Sequence, residues 1–318
     1  MSAQKPRFGI AMCNFTAYPK MPDPEALLDY AVRAEELGYE SLWVWDHILL
    51  GVDPHFPILE SLTLLSATAA RTSRIKLGTG ILVLTMRNPV VLAKQLSTLD
   101  QISNGRFILG AAGGWYKREF DAVGVDFKGR GKVMDQNLEI LKRLWEEDMV
   151  SGDYPPHELR NAVMSPKPVQ RPRPPILIGG YVDAALRRAA TKGDGWLTYC
   201  YTAESFARAW GKVQRFADAA GRDPDTLNAT NQLPIVVGDR DKVEAPMREW
   251  LDKEWDFAGW SESTPESAVI GPVDEVVEQL QAHIDAGVHR LVFMPYRYQA
   301  EQVEILAKEV VPRLQGAA

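Results

Sequence analysis

Cysteine is almost missing. The 318 residues hold two, Cys13 and Cys200, far apart and in no metal-ligand or C-x-x-C spacing. A disulfide-stapled fold and a cysteine redox motif are excluded, and a reducing cytoplasm is the expected setting. Positive charge is also in deficit. The formal net charge of −6 argues against nonspecific nucleic-acid binding, which needs a basic surface. No apolar run is long enough to span a bilayer, and the opening residues MSAQKPRFGIAM hold no apolar signal core. Neither nucleic acid nor membrane is therefore an expected partner. Short internal repeats and low-complexity segments are lacking as well.

What the chain does have is a regular alternation. RFGIAM, residues 7–12, reads as a buried strand; DPEALLDYAVRAEELG follows as a helix with Asp23 as N-cap, Pro24 in its first turn and Gly38 closing it. SLWVW, residues 41–45, is a second strand and PILESLTLLSATAARTS the next helix. RIKLGTGILVL is a third strand, after which Asn88 and Pro89 open the helix VVLAKQLSTLDQIS. RFILGAA is the fourth strand and GKVMDQNLEILKRLWEE an amphipathic helix. The proline-rich SPKPVQRPRPP, residues 165–175, reads as an extended surface connection inside the domain, because the alternation resumes at once. PILIGG, GWLTYC, LNATNQLPIVVG and HRLVFMP are strands five to eight, each with a helix after it. This order predicts an α/β fold, a (β/α)8 TIM barrel with insertion segments, as a single domain over residues 1–318.

On such a barrel, functional groups sit where strands end. Asp46 and His47 leave the second strand with no turn residue between, which places a carboxylate and an imidazole at the C-terminal mouth. The third strand carries Gly78 and Gly80 inside an apolar run, where glycine marks a bulge or the close approach of a ligand. The fourth ends in small residues, Gly113 among them, and then a bulky Trp115. The fifth ends in Gly179, Gly180 and Tyr181 directly before a helix. Backbone N–H groups there form an anion site, although a tight strand-to-helix turn also accounts for the glycine pair. Together these ends fit a flat aromatic cofactor with a phosphate, the phosphate at Gly179, Gly180 and Tyr181 and the ring over the third and fourth strand ends. Trp45, Trp115 and Trp196 lie near strand ends and could wall an apolar substrate pocket, and Arg118 could reach an anionic cofactor tail or substrate.

WVWDH, LGTGILVLTMRNPVVLAKQLSTLDQISNGRFILGAAGGWYKREFDAVGV, PPILIGG and GDGW resemble the luciferase-like monooxygenase superfamily, with similarity running from FGIAM to AGVHRLVF. The resemblance implies a barrel that binds FMN or the deazaflavin coenzyme F420. It implies an oxidoreductase or monooxygenase acting on a small organic substrate by hydride transfer or oxygen activation. It also implies a non-prolyl cis peptide beneath the cofactor ring, at Gly80–Ile81 in this chain, and a phosphate site at Gly179 and Gly180. In the implied catalytic pair His47 exchanges a proton while Asp46 orients or charges it. Luciferases resembling this chain carry histidine where Asp46 stands, and the Asp-His order is commoner in deazaflavin-dependent relatives, so the lean is to F420. Trp115 stands where sugar-phosphate dehydrogenases of that branch use an acidic residue as an acid. A separate flavin or F420 reductase is a further partner that the resemblance allows.

Two other readings stand beside this one. One is a flavin-binding protein without turnover. The other is a metal-dependent barrel hydrolase using Asp46, His47 and His55, for which the other strand ends supply no further ligands, so no metal is expected. Superfamily relatives commonly pair, and the helix PILESLTLLSATAA supplies a physical motive. Leu59, Leu62, Leu65 and Ala69 make one apolar face, which Leu64 and Ala67 extend round the side. A homodimer through the helices of the first half is expected.

Overall fold

Strands buried on both faces need unbroken apolar runs, and each of the eight such runs forms a strand. In the computed structural model, which describes residues 5–53, 55–255 and 266–315, they are β1 (Arg7–Ala11), β2 (Ser41–Val44), β3 (Lys76–Thr79), β4 (Phe107–Ala112), β5 (Ile176–Gly179), β6 (Gly195–Tyr199), β7 (Asn228–Val237) and β8 (Arg290–Pro295). Helices alternate with these eight parallel strands, and the fold class is the (β/α)8 barrel. The chain divides into two compact units interleaved along its length. The first comprises Met1–Cys13, Glu25–Trp43 and Leu177–Ala318, the second Asn14–Pro24 and Val44–Ile176.

In the first unit the parallel order is β5-β6-β7-β8-β1-β2. Its register sets Leu177 beside Gly195, Leu197 beside Thr230, Gln232 beside Val292 and Gly9 beside Ser41. A buried cation lies at the N-terminal end of this sheet. Arg290, buried, reaches both carboxylate oxygens of Glu40 at 3.0 Å, and its guanidinium lies 5.6 Å from the centre of the Trp43 ring. Such pairing offsets the cost of burying the cation. On the other face Trp196 stacks on Phe206 of the helix Ala203–Ala219, 5.2 Å between ring centres.

In the second unit β3 pairs with β4, and after a break at Gly80–Ile81 the short strand Leu82–Val83 rejoins β4. The Gly80–Ile81 peptide is cis, as the resemblance implied. Asn88 caps the helix Pro89–Ile102 as its sequence predicts, its Oδ1 accepting from the N–H groups of Val90 and Val91 at 2.9 and 3.2 Å. The preceding helix runs Ser61–Arg71 rather than from residue 57. Its entry is extended because Ile58 bridges Phe15 and the Leu59 N–H donates to Asn14 O at 2.8 Å; Glu60 then caps Thr63 N at 2.7 Å.

Elements not foreseen include the hairpins Leu50–Gly51/His55–Phe56 and Val150–Tyr154/His157–Ala162, the short helix Lys117–Val123 and the strand Val269–Gly271, which pairs with β7. Pro54, within the first hairpin loop, lies outside the described residues. The proline-rich connection is irregular, but it is not merely draped on the surface. Buried Asp100 accepts from the Gln170 backbone at 3.0 Å and from its amide side chain at 2.7 Å. Of the apolar residues offered as a motive for pairing, Leu62, Leu64, Leu65 and Ala69 are buried, Leu59 is half-buried and Ala67 is exposed. Among the described residues no helix is long and apolar enough to cross a membrane.

Candidate active site

The exit of β2 explains why a carboxylate stands there. Asp46 is 3 % exposed, and four donors take its two oxygens. Arg87 binds it in a bidentate fork, Nη1 to Oδ2 at 2.8 Å and Nη2 to Oδ1 at 2.7 Å. Ser61 Oγ donates to Oδ1 and the Val83 N–H to Oδ2, both at 2.8 Å. Parallel N–H donors of this kind make a strong, directional pair. The Gly80 N–H, on the other side of the cis peptide, donates to Val44 O at 2.7 Å. The end of β2 therefore pins the broken third strand on both sides of its break. Glu60 adds a weaker contact to Arg87 at 3.4 Å. Burial pushes the Glu60 carboxyl up, but the Thr63 hydrogen bonds and the Arg87 charge outweigh it and leave it below its usual range.

The orienting role expected of Asp46 falls to another residue. His47 Nδ1 lies 2.8 Å from Glu119 Oε2, and Glu119 is 1 % exposed. The other oxygen of Glu119 accepts from the N–H groups of Ile48 and Leu49 at 2.5 and 2.9 Å. One carboxylate thus fixes both the imidazole and the loop that carries it. A carboxylate only accepts, so it holds the hydrogen on Nδ1 and leaves Nε2 as the nitrogen able to take a proton. Trp115 stands edge-on to His47, 5.8 Å between ring centres, and is 41 % exposed.

Glu119 comes from the unforeseen helix Lys117–Val123, which follows β4 through Gly113 and Gly114. Gly114 has φ +76°, and a Cβ there would meet Val83 at 2.6 Å and Phe120 at 2.8 Å. Only glycine lets the chain turn so close to the pinned bulge. A Cβ on Gly113 would meet Arg130 Cγ at an ordinary 3.9 Å, and the Gly113 carbonyl accepts from Thr85 Oγ1 at 3.0 Å. Arg118 is exposed, Ile81 and Trp45 are half-buried, and Trp45 packs edge-on against Phe15 at 5.7 Å.

In the first unit, Gly179 and Gly180 lead into the helix Asp183–Lys192. Gly180 has φ +126°, and a Cβ would sit 2.7 Å from that of Ala185. The N-cap residue, Val182, gives no side-chain hydrogen bond to the first turn. A glycine-only approach to an uncapped helix N-terminus of this length fits a phosphate group. Tyr181 is 42 % exposed and stacks on Tyr201 at 5.9 Å, with Tyr199 edge-on at 5.5 Å. Burial raises the Tyr201 hydroxyl above its usual range. Trp196 does not wall a pocket. It is fully buried and its indole N–H donates to Gly180 O at 3.0 Å, so it supports the glycine turn from below.

The oxygens of Asp46 are occupied by a guanidinium and two other donors, and His55 stacks on Tyr18 at 4.4 Å. Among the described residues no group of three His, Cys, Asp or Glu side chains could hold a metal ion. Sequence reasoning missed Glu119, Arg87, Tyr199 and Tyr201. The available signal was position, since Tyr199 is the last residue of β6 and the others lie in segments that follow a strand end.

The profile of the luciferase-like monooxygenase family matches residues 7–290. An F420-dependent glucose-6-phosphate dehydrogenase of Amycolatopsis mediterranei is 29 % identical over 323 residues, covering 92 % of this chain and 95 % of that protein. Among solved structures, a monooxygenase from Streptomyces bottropensis superposes with a TM-score of 0.81 at 23 % identity, covering 96 % of this chain and 99 % of that one. An F420-dependent secondary alcohol dehydrogenase, solved with an F420–acetone adduct, gives 0.80 at 22 % identity, with 98 % and 99 % covered. With the family profile matching it over most of its length, the chain belongs to the luciferase-like monooxygenase family.

Proposed function

We propose that this chain is an F420-dependent oxidoreductase that interconverts an alcohol and a carbonyl compound. The observation that carries the reading is the buried Glu119 carboxylate on His47 Nδ1 at the exit of β2. Support for F420 over FMN comes from the names of the Amycolatopsis relative and of the alcohol dehydrogenase. Gly180 and the N-terminus of Asp183–Lys192 are the residues that would hold the phosphate of the cofactor. When bound, F420 supplies the acceptor or donor of hydride. In the oxidative direction the carbinol carbon gives up hydride and the hydroxyl proton passes to His47 Nε2, so the alcohol loses both hydrogens and becomes a carbonyl. Glu119 holds the ring in the tautomer that can accept that proton and stabilises the imidazolium that results. Asp46 takes no proton in this scheme; it keeps the third strand in place. A homodimer is proposed on the habit of the family alone.

Titration with F420 and with FMN, followed by fluorescence, tests the cofactor. Tight binding of FMN and none of F420 would overturn the reading. His47→Ala should bind F420 normally and lose about 10²–10⁴-fold in the hydride-transfer step; equal rates would remove His47 from the chemistry.

A further inference from the structure

The names of the relatives leave two substrate chemistries open, a phosphorylated sugar and an uncharged carbonyl compound, and the surface around His47 discriminates between them. Large apolar side chains stand exposed there in one short stretch and its neighbour: Ile48 at 42 %, Leu49 at 53 %, Val52 at 57 % and Trp115 at 41 %. Glu119 ties this stretch to the imidazole, because its carboxylate holds His47 and the N–H groups of Ile48 and Leu49 together. Exposed apolar residues grouped beside a titratable pair mark a binding surface more often than scattered ones do.

Several cations of the same unit point the same way. Arg87 is clamped by Asp46. Lys117 pairs with Asp121 at 2.6 Å. Arg130 donates to the carbonyls of Gly114 and Phe127 and lies 4.0 Å from the Phe127 ring centre. Arg118 is exposed, but it is adjacent to Glu119 on the helix and so leaves it about 100° round from the side that faces His47. The charge nearest the imidazole is the Glu119 carboxylate, which repels a phosphate dianion.

We infer that the site takes an uncharged alcohol or ketone with an apolar body, seated on Ile48, Leu49, Val52 and Trp115, and not a sugar phosphate. This rests on the oxidoreductase reading for its carbonyl chemistry, but its test does not use turnover. Isothermal titration calorimetry on the protein without added cofactor would compare a series from cyclopentanone to 2-octanone with glucose 6-phosphate. The ketones should bind with affinity rising along the series, and glucose 6-phosphate at least 100-fold more weakly than the best of them. Leu49→Asp and Trp115→Ala, at exposed positions and checked for folding by circular dichroism, should each weaken ketone binding tenfold or more. Saturable glucose 6-phosphate binding tighter than that of any ketone, absence of ketone binding across the series, or unchanged affinity in both variants would each overturn the inference. Ketone binding in a protein that ignores F420 would instead sink the redox reading and leave this one standing.

Discussion

Replacing Glu119 with glutamine separates its two duties. Oε1 accepts from Ile48 and Leu49, and Oε2 faces His47 Nδ1. In Glu119→Gln the amide oxygen can keep both loop N–H donors only if its NH2 group takes the place of Oε2. That group donates, so Nδ1 must accept and the imidazole hydrogen moves to Nε2. The loop stays in place while the base is switched to the wrong tautomer. One charge-assisted hydrogen bond is lost, so stability should fall by about 1–3 kcal/mol. The chemical step should fall by about 10²–10⁴-fold, the usual value of a positioned acid–base group. Glu119→Ala removes the acceptor for both loop donors as well, and its greater loss of stability is the control for a purely structural role. Nitrogen NMR of histidine-labelled protein reads the tautomer directly, and stopped-flow reduction of F420 across pH reads the rate. A Glu119→Gln protein with its hydrogen still on Nδ1 and a wild-type rate would refute the argument.

Further consequences concern stability and the cofactor. Arg87→Met leaves the Asp46 side chain buried without its guanidinium and should cost about 3–5 kcal/mol in urea unfolding; adding Asp46→Asn should recover part of that, and no recovery would mean that the pair is not what holds the bulge. His283 is buried with Nδ1 unbonded among the described residues, and burial pushes its pKa down from 6.5 to about 4. The unfolded chain therefore binds the extra proton between those values, so the contribution is complete above pH 6.5 and is lost as pH falls towards 4, about 3 kcal/mol in all. Urea melts at pH 7.5 and 4.5 should show a steeper loss in the wild type than in His283→Leu. Gly180→Ala forces a side chain into φ +126° against Ala185, so it should lower stability by about 1–3 kcal/mol and also weaken F420 binding. Normal F420 affinity in that variant would move the phosphate elsewhere.

The eight strands, their helices and the Asn88 cap were legible in the sequence, because parallel strands buried on both faces leave unbroken apolar runs and caps use few residue types. His47 was legible as a strand-end residue for the same reason. The partner of His47 was not. Residues 117–119, KRE, are three charges in a row, with nothing to distinguish a buried glutamate from a solvated one. Only the turn at Gly114 and the helix Lys117–Val123 bring Glu119, 72 residues away in sequence, to 2.8 Å from the imidazole. Asp46 shows the converse. Its position suggested chemistry, but Arg87, Ser61 and Val83 arrive from three later segments and turn it into a clamp. Local pattern decides which face of a strand or helix is buried; which donors saturate a carboxylate is set by contacts between distant segments, and those exist only once the chain has folded.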